Sequence, residues 1–589
     1  MTARLCPERW AKDAAALASA QLDVLVVGGG IVGAGTALDA ATRGLRVGLV
    51  EAQDWASGSS SRSSKLVHGG LRYLRSYQFA LVHEALQERG RLVRLAPHLV
   101  SPIAFVFPLR RLALERAYTG TGLLLYDLLA RSSRSAGGWP WQRQLTRRQL
   151  MALAPALKPG LFRGAIRYYD AQVDDARFTL SVVRTAAGFG VPVLNRAMVT
   201  GLLRCEGAVA GARLVLTETG EELDVRAKVV VSATGVWTER FEELSRQSGQ
   251  FGQLSGRRGQ LSGRRGQPGS SPPVRLQPSK GVHLLVPRGC IESSVALILP
   301  TEKSILLVLP WGEHWLVGTT DTAWAHSLAR PAANGADIDY LLSTLNQVLA
   351  RPLKKGDVTA VFAGLRPLIA GPTGETAKLS REHAVSRPEP GLVVVSGGKF
   401  TTYRVMALDA VDAAVGLGGL RAGPSTTQWT EIVGASGFGA MWDNREGLAR
   451  SFGLPIGQAE RLLRRYGDLV PEVIGSSLVA DPLGPLPGGP GYLRAEVAYA
   501  VTHEGARHLD DVLQRRTRLS LGTRDQGLRA APEVATVMAP LLGWDRTTWA
   551  QEVGAYHRQV RSELAAQAAP NDQAADAEVT AVAPLLALP

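Results

Sequence analysis

The residues best suited to chemistry stand close together in one short stretch, SSRSSKLVHGGLRYL, which runs from Ser60 to Leu74. It places four serines, a lysine and a histidine ahead of a glycine pair, and an arginine and a tyrosine follow. The hydroxyls and free backbone N–H groups of such a loop can bind the diphosphate and ribityl oxygens of an extended dinucleotide. Gly69 and Gly70 let the backbone pass against a flat ring. A flexible serine-rich linker is the alternative.

A glycine-rich turn precedes this loop. Val24 to Val27 form a continuous apolar run, typical of a buried parallel strand, and G-x-G-x-x-G follows at Gly28, Gly30 and Gly33. Gly28 permits the tight turn, Gly30 lets the backbone approach a pyrophosphate, and Gly33 lets the next helix pack on the strand. We therefore predict a dinucleotide-binding βαβ unit, with an ordinary βα turn that binds no ligand as the alternative.

The end of the next strand narrows the choice of cofactor. RVGLVE ends in Glu51, 21 residues after Gly30, where a carboxylate would bind a ribose hydroxyl. A carboxylate at this position favours an adenosine with a free 2′-hydroxyl, which argues against NADP, whose 2′ position carries a phosphate. NAD and FAD remain. The serine-rich loop that follows, in place of further regular βα units, favours FAD.

Composition sets the outer limits. A chain of 589 residues with 45% apolar content is too long for one core, so roughly two to four domains are expected. Its three cysteines, without C-x-x-C, exclude a disulfide scaffold and fit a reducing cytosol. No apolar run reaches the ~18 residues of a membrane span, and we expect no signal peptide. We expect no metal site, since His503 and His508 lack the i, i+4 spacing of a helical pair.

The net charge of +14 permits an anionic partner, which could be nucleic acid, phospholipid or a phosphorylated metabolite. No zinc-finger or RNP-type motif is present, so we expect no nucleic acid as a partner. Only 10 of the 66 basic residues are lysines. Lysines inside motifs, at Lys65, Lys280 and Lys399, are therefore expected to have specific roles.

Further motifs make the chain resemble a known family. After the glycine-rich turn and SSKLVHGGLRYL come DAQVDDARFTL, VVVSATGVWT, SKGVHLLVP, VLPWGEHWLVGTTD, GLRPL and SGGKFTTYR. In order and spacing these motifs resemble the FAD-dependent respiratory glycerol-3-phosphate dehydrogenases. The resemblance runs from about residue 22 to 420 and continues more weakly through a helical C-terminal region.

This resemblance implies an α/β fold in three parts. They are a discontinuous glutathione-reductase-like FAD-binding Rossmann domain, a β-rich substrate cap domain and a C-terminal helical domain. The expected division is an N-terminal extension at 1–22, the FAD domain at 23–100, 196–245 and 380–420, the cap at 101–195 and 274–379, and the helical domain at 421–565.

Two segments depart from the family pattern. Residues 246–273 contain GQLSGRR twice in tandem and almost no apolar side chains, so we expect a disordered surface insertion there. A basic arm that grips anionic lipid is the alternative. Residues 566–589 are rich in Ala, Pro, Asp and Gln, and we expect a flexible tail.

The implied reaction is oxidation of sn-glycerol 3-phosphate at C2 to dihydroxyacetone phosphate, with hydride transfer to N5 of FAD and electrons passing to membrane quinone. An oxidase that uses O₂ and a non-catalytic flavin-binding subunit are the alternatives. The implied location is cytoplasmic, peripheral to the inner face of the cell membrane, on an anionic lipid surface, and a homodimer is left open. An apolar helix with basic flanks at 110–134 fits a monotopic segment or an internal helix of the cap.

The resemblance also assigns residues. Arginine forks pair well with phosphate, and the expected substrate ligands are Arg72, Tyr73, Arg366 and Arg381. His283, with an ordinary pKa of ~6.5, is the expected base, and His68 and Arg366 are its rivals. Lys399 is expected beside the flavin, where it would stabilise the reduced-flavin anion. The expected cofactor ligands are Gly28, Gly30, Gly33, Glu51, Ser63, Ser64, Lys65, His68, Gly69, Val199, Ala233, Thr234, Gly235, Gly398, Lys399 and Thr401.

Overall fold

The computed structural model describes residues 3–110, 112–131, 139–251, 274–301, 305–370, 382–475 and 478–582. The α-helices in this part are α1 Pro7–Ser19, α2 Ile31–Thr42, α3 Phe79–Leu95, α4 Leu112–Arg131, α5 Arg147–Leu153, α6 Asp175–Gly188, α7 Thr238–Phe251, α8 Gly335–Asn346, α9 Tyr403–Gly418, α10 Phe438–Asp443, α11 Arg445–Phe452, α12 Ile456–Tyr466, α13 Val470–Ile474, α14 Arg494–Glu504, α15 Leu519–Gly522, α16 Ala531–Leu542, α17 Arg546–Ala568 and α18 Asp572–Thr580.

The strands are β1 Gln21–Val27, β2 Val47–Val50, β3 Leu66–Val67, β4 Val100–Leu109, β5 Arg143–Thr146, β6 Gly164–Val173, β7 Val193–Leu194, β8 Ala197–Cys205, β9 Ala208–Leu216, β10 Glu222–Ser232, β11 Leu276–Pro287, β12 Ala296–Pro300, β13 Ile305–Trp311, β14 His314–Gly318, β15 Thr322–Ala323, β16 Ala360–Ile369, β17 His383–Glu389, β18 Leu392–Gly397, β19 Pro485–Leu486 and β20 Gly489–Leu493.

The first sheet has a parallel centre, in the order β18-β10-β1-β2-β7. Its strands are apolar along their length because helices or other strands cover both faces. On one side α2, α6 and α9 share a core with the sheet. On the other side lie α1, α7 and the antiparallel β8-β9 pair, which extends from the first half of β10. This is the predicted α/β dinucleotide fold, and the fold class is confirmed.

The second sheet is mostly antiparallel, in the order β15-β11-β14-β13-β12-β4-β6-β3, with β16 on β11 and β5 on β6. α5 and α8 cover one of its faces, while α3 and α4 pack on the other. The long β11–β16 pairing runs from Leu276↔Ile369 to Leu285↔Ala360. This register brings the predicted residues of GVHLLVP and GLRPL into one sheet.

The C-terminal region from α10 to α17 is helical, with two cores of its own. The helical pattern of its sequence, with apolar side chains on one face and arginines on the other, accounts for these cores. Within the described residues, no helix is both long and apolar enough to cross a membrane.

Several expected boundaries differ from the structure. α6 and β7, expected in the cap, belong to the first sheet and its core, because α6 packs on α2 and β7 pairs with β2. β3, expected in the FAD domain, pairs with β6 of the second sheet. These boundaries depend on contacts between residues far apart in the chain, which local composition does not record. At the N-terminus, α1 buries Leu17 against the first sheet, and its Trp10 Nε1 donates to the Asn195 carbonyl at 2.9 Å.

The expectation of a flexible tail from residue 566 is wrong for its described part. α18 follows α17 and buries Ala575 and Val579 against Ala332. Its Asp572 carboxylate pairs with the buried ammonium of Lys280, which also contacts Asp337 Oδ2 at 2.5 Å. The segment has few apolar residues, but these small side chains and one ion pair hold it in place.

The expected disorder from residue 246 is also wrong at its start, because α7 continues to Phe251. The Ser248 hydroxyl accepts a hydrogen bond from the Leu202 N–H at 3.1 Å, which ties this last turn to β8. The tandem GQLSGRR copies lie outside the described residues.

Candidate functional site

A cavity of about 780 Å³ lies between the two sheets. Its floor is the carboxyl edge of the first sheet, where open α/β sheets bind their ligands. Its roof comes from β11 and β16 of the second sheet. The predicted residues that line it are Gly28, Gly30, Glu51, Ser63, Ser64, His68, Val199, Ala233, Thr234, Gly235, His283, Arg366, Gly398, Lys399 and Thr401. The volume is in the range of cofactor and small-molecule sites.

The three glycines of the turn have different surroundings. Gly28 has φ +112°, and a Cβ on it would lie 2.6 Å from the Ala233 carbonyl oxygen. A Cβ on Gly33 would lie 1.9 Å from the Gly28 carbonyl oxygen, so this glycine is needed for the turn itself. Gly30 lines the cavity, and a Cβ there would meet only the Ser60 hydroxyl, at 3.2 Å. The side chain missing at Gly30 thus leaves room for a ligand at the start of α2.

Glu51 holds its carboxylate at the end of β2. Its Oε2 accepts from the Gly29 N–H at 2.6 Å, and its Oε1 accepts from the Gln53 N–H at 2.8 Å. Burial raises the pKa of this carboxyl, and the two backbone donors oppose the rise. The acid is therefore fixed beside the glycine turn, where a ribose hydroxyl could reach it.

The serine loop, residues 56–70, is held by hydrogen bonds to the start of α2 and to β16 of the second sheet. Ser60 Oγ accepts from the Ile31 N–H at 2.9 Å, and Ser59 Oγ donates to the Leu365 carbonyl at 2.6 Å. Ser63 donates to Asp175 through both its N–H and its hydroxyl, and Ser64 Oγ lies 2.9 Å from His283 Nε2. Ser59 and Ser60 also line the cavity, and sequence reasoning singled out neither: Ser60 opens the stretch Ser60–Leu74, and Ser59 directly precedes it.

Lys65 does not reach the cavity. Its side chain is fully buried, and its ammonium contacts Asp175 Oδ1 at 2.8 Å and the Ser61 carbonyl at 3.1 Å. Burial lowers the pKa of Lys65 to about 8, with a further lowering from Arg518 and an opposing effect of Asp175. Lys65 thus braces the loop from behind, and the expected direct role at the cofactor has no support in this position.

The glycine pair packs tightly. A Cβ on Gly69 would lie 2.5 Å from Leu86, and the Gly69 N–H donates to the Tyr126 hydroxyl at 2.8 Å. Gly70 has φ +77°, and its N–H donates to His68 Nδ1 at 3.1 Å. Gly69 and Gly33 support the cavity without lining it. Because Nδ1 of His68 is an acceptor here, the neutral ring carries its proton on Nε2.

His283 lies on β11 at the roof of the cavity, with its ring stacked on Phe362 at 4.9 Å. Burial lowers its pKa well below the usual value, and the positive charges of Arg366 and Lys65 lower it further. The imidazole is therefore neutral at physiological pH. The expectation of an ordinary pKa for this histidine is wrong, because the site is both buried and positively charged.

Arg366 on β16 is oriented by neighbours on β11 and in the connection between β14 and β15. Its Nη2 donates to Thr319 Oγ1 at 3.0 Å and to the Thr320 carbonyl at 3.2 Å, and its Nη1 lies 3.3 Å from the Ser279 hydroxyl. Asp321 Oδ1 is 3.6 Å from Nη1. These contacts hold the guanidinium at the cavity wall.

Lys399 and Tyr73 meet at the same end. The Lys399 ammonium lies 3.8 Å from the centre of the Tyr73 ring, a cation–π contact. Lys399 directly precedes the short turn Phe400–Thr402 that leads into α9, and Thr401 Oγ1 accepts from the His68 N–H at 3.1 Å. Arg72 lies in the neighbouring turn Leu71–Ser76, and Arg381 lies outside the described residues.

The arrangement fits FAD. One end of the cavity offers a glycine turn at a helix start, a fixed carboxylate and serine hydroxyls, which suit an adenosine diphosphate. The other end offers Arg366, Lys399 and a neutral His283, which suit an anionic substrate and a proton acceptor. Within the described ranges, no group of three or more His, Cys, Asp or Glu side chains could hold a metal ion.

Comparison with known proteins agrees with this geometry. Residues 23–411 match the family model described as FAD dependent oxidoreductase, and residues 425–549 match the C-terminal domain of alpha-glycerophosphate oxidase. A glycerol-3-phosphate dehydrogenase of Mycobacterium leprae is 49% identical over 558 residues, which cover 94% of this chain and 91% of that protein. The human mitochondrial glycerol-3-phosphate dehydrogenase is 34% identical over 550 residues, covering 90% of this chain and 71% of that protein.

A solved structure is similar over almost the whole chain. It is the glycerol-3-phosphate dehydrogenase of Bacillus halodurans complexed with FAD, 27% identical, with a TM-score of 0.75. The match covers 95% of this chain and 98% of that one.

Proposed function

The chain belongs to the FAD-dependent glycerol-3-phosphate dehydrogenases, and from this we propose that it oxidises sn-glycerol 3-phosphate at C2 to dihydroxyacetone phosphate, with quinone as the electron acceptor. The observation that carries the proposal is the polar end of the cavity. There Arg366, Lys399 and the neutral His283 line the space directly beside the flavin-binding edge. Bound FAD supplies the hydride acceptor for such an oxidation.

In this proposal, Arg366 binds the phosphate of the substrate. The hydroxyls of Ser279 and Thr319 already fix the direction of its guanidinium, so little side-chain entropy is lost on binding. Lys399, just after β18 of the first sheet, adds a second positive charge to the lining of the same cavity. Two cations that replace the hydration of a dianion would favour glycerol 3-phosphate over glycerol.

We assign proton removal from the C2 hydroxyl to His283. Its Nε2 faces the Ser64 hydroxyl at 2.9 Å, and Ser64 lines the cavity, so the proton can pass through Ser64 Oγ to Nε2. Of the two rivals, His68 carries its own proton on Nε2 when neutral, because Nδ1 accepts from Gly70. Arg366 carries only hydrogen-bond donors, so it has no atom that could accept the proton. A bound dianionic phosphate would raise the pKa of His283 by compensating the positive charge of Arg366.

The acceptor assignment draws on an exposed apolar face beside this end of the protein. Tyr77 is 80% exposed, and Leu124 and Leu128 on α4 are 44% and 51% exposed. α4 packs beside the turn Leu71–Ser76, so these side chains belong to one region near the predicted substrate ligands. Trp141 is also exposed, and the Arg131 guanidinium stacks on its ring at 3.8 Å. Apolar side chains beside aromatic and basic residues suit peripheral contact with an anionic lipid surface, which for this chain would be the inner face of the cell membrane.

One experiment tests acceptor and surface together. Holoenzyme is assayed with glycerol 3-phosphate against a water-soluble short-chain quinone, against a long-chain quinone in anionic liposomes, and in air with a peroxide assay. We expect dihydroxyacetone phosphate as the product and turnover with both quinones. The double change Leu124→Glu and Leu128→Glu should abolish turnover with liposomal quinone and leave the soluble quinone assay intact.

The control for this experiment is Ile456→Glu, which changes an equally exposed side chain on α12 of the C-terminal region and should have no effect. Stoichiometric peroxide in air without quinone turnover would establish the oxidase alternative. Equal loss in both quinone assays would place α4 in the catalytic structure and contradict its role at the membrane.

A further inference from the structure

A second and smaller cavity, of about 90 Å³, lies where three parts of the chain meet. The serine loop contributes Ser61 and Arg62, β16 contributes its first residues, and the C-terminal helices close the far side. Its charged lining consists of four arginines and one glutamate, at Arg62, Arg330, Arg515, Arg518 and Glu563. Positive charge therefore exceeds negative charge in the lining of a half-buried cavity.

Two of the four arginines are neutralised by carboxylates outside the cavity. Arg515 contacts Asp54 Oδ2 at 2.5 Å and Asp510 Oδ2 at 2.7 Å. Arg518 pairs with Asp175 and lies 3.2 Å from Asp174 Oδ1. These guanidiniums form part of the contact between the C-terminal region and the rest of the protein, and each is paired with carboxylates that do not line the cavity.

Arg330 and Glu563 form a looser pair. The Nη2 of Arg330 is 3.5 Å from Glu563 Oε1 and 3.2 Å from the Ser562 hydroxyl, and its Nη1 donates to the Val579 carbonyl at 3.2 Å. The buried Nε of Arg330 makes no hydrogen bond within the described part of the chain. One glutamate therefore balances one arginine, and a donor remains on the arginine.

Arg62 has no such balance. Among the described residues, no acceptor forms a hydrogen bond or an ion pair with its guanidinium. Its backbone is fixed, because the Arg62 carbonyl and Cβ pack against Gly364, where a Cβ would lie 2.4 Å from that oxygen. Burial lowers the pKa of Arg62 to about 10; Glu563 opposes this, and Arg515 and Arg330 add to it. Glu563 already pairs with Arg330, so Arg62 is the one arginine of this lining for which the described residues offer no carboxylate within ion-pair distance.

We propose that the second cavity is a binding site for a small oxyanion, inorganic phosphate or the phosphate group of a metabolite, held between Arg62 and Arg330. Arg62 is half-buried beside three other arginines, and a guanidinium that is partly withdrawn from water without a partner is costly. An oxyanion that accepts hydrogen bonds from it would offset this cost. The volume exceeds what a few water molecules need and is enough for one tetrahedral anion. Because Arg62 itself lines both cavities, the anion would join the loop at the flavin cavity to the C-terminal helices.

The test is isothermal titration of the FAD-loaded enzyme with inorganic phosphate, at constant ionic strength in chloride. The change Arg366→Ala weakens phosphate binding in the main cavity, where Lys399 remains. A phosphate site of the second cavity is then identified by its loss in Arg330→Gln, because Arg330 lines only the second cavity. We expect Arg366→Ala to keep one phosphate site. Adding Arg62→Gln to it should weaken this site by roughly tenfold or more, and Arg330→Gln should do the same.

Arg450→Gln in the Arg366→Ala background is the matched control, since Arg450 is 76% exposed on α11 and should leave the site unchanged. Flavin content and the thermal midpoint show that each variant is folded, and Arg330→Gln carries the test if Arg62→Gln does not fold. The proposal is overturned if Arg366→Ala binds no phosphate. It is equally overturned if Arg62→Gln loses flavin while phosphate affinity is unchanged, because Arg62 would then serve the cofactor.

Discussion

At the scale of single residues, Gly30 and Gly33 belong to the same motif but have different tasks. A side chain at Gly33 would meet the Gly28 carbonyl within the turn, whereas a side chain at Gly30 would enter the cavity beside Ser60. The first position is needed to form the turn, and the second is needed to admit the cofactor.

We therefore predict that Gly30→Val gives folded protein without flavin, because the valine occupies the space of the diphosphate. Gly33→Val should instead prevent folding, since its Cβ would lie 1.9 Å from backbone. Absorption spectra and near-ultraviolet circular dichroism of the purified variants measure both effects, with Gly439→Val, which meets no atom within 4 Å, as control. A full complement of flavin in Gly30→Val would refute the assignment of this turn.

The depressed pKa of His283 predicts a specific pH dependence. A base must be unprotonated, so kcat/KM falls when the pH drops below the pKa of the free enzyme's base. Burial and the charges of Arg366 and Lys65 depress this pKa, so the acid limb of the wild-type profile should lie below pH ~6.5. Arg366→Ala removes one positive charge, which raises the pKa of His283 and moves the acid limb to higher pH. A limb that stays in place, or moves to lower pH, would show that another group is the base.

At the scale of elements, the serine loop is held from behind by the C-terminal region. Asp54, fully buried, accepts from Arg515 Nε at 2.5 Å and from Arg516 Nη2 at 2.7 Å. Arg518 Nη1 donates to the Ser61 carbonyl at 3.1 Å. The segment between α14 and α15 thus fixes the loop that lines the flavin cavity.

Asp54→Ala should leave two guanidiniums buried without this partner and lower the apparent free energy of unfolding by about 3–5 kcal/mol. Flavin should also dissociate more readily, because the loop loses its support. Denaturation and flavin release are compared with Asp224→Ala, whose exposed pair with Arg213 should contribute less than about 1 kcal/mol. If the two variants behave alike, the C-terminal region does not support the loop.

The elements that could be predicted from the sequence were those with a local signature. β1, β10 and β18 each combine a short apolar run with small residues at its end, and β2 is a short apolar run followed by the acid Glu51. These patterns arise from neighbouring residues. Lys65 and Lys280 were expected to have specific roles, and both prove to be buried in ion pairs with Asp175 and Asp337. The partner of each lies far away in the chain, so no local pattern could identify it.

At the scale of the whole molecule, contacts between distant segments also explain why several domain boundaries in the structure differ from those expected from the sequence. The placement of α6 in the first sheet's core and the packing of α18 beneath Lys280 both depend on contacts between distant segments. Composition described residues 566–582 correctly as polar and rich in alanine, but it could not show that Ala575 and Val579 find a partner surface. The cavity, by contrast, was predictable in outline, because several motifs of one family converge on it.

The central claim is that FAD bound in this cavity oxidises glycerol 3-phosphate and that Arg366 binds the phosphate group of the substrate. The most direct measurement is anaerobic bleaching of the flavin absorbance, followed in a stopped-flow instrument with glycerol 3-phosphate or with glycerol. We predict rapid bleaching of wild type by glycerol 3-phosphate and slow bleaching by glycerol. Arg366→Ala should retain its flavin, but the transition state for oxidation of glycerol 3-phosphate should lose ~2–5 kcal/mol of stabilisation. The bleaching rate constant divided by the dissociation constant should therefore fall by roughly tens- to thousands-fold. Its reaction with glycerol should change far less. Flavin that does not bleach with glycerol 3-phosphate, or a variant that loses both reactions by equal factors, would contradict the account.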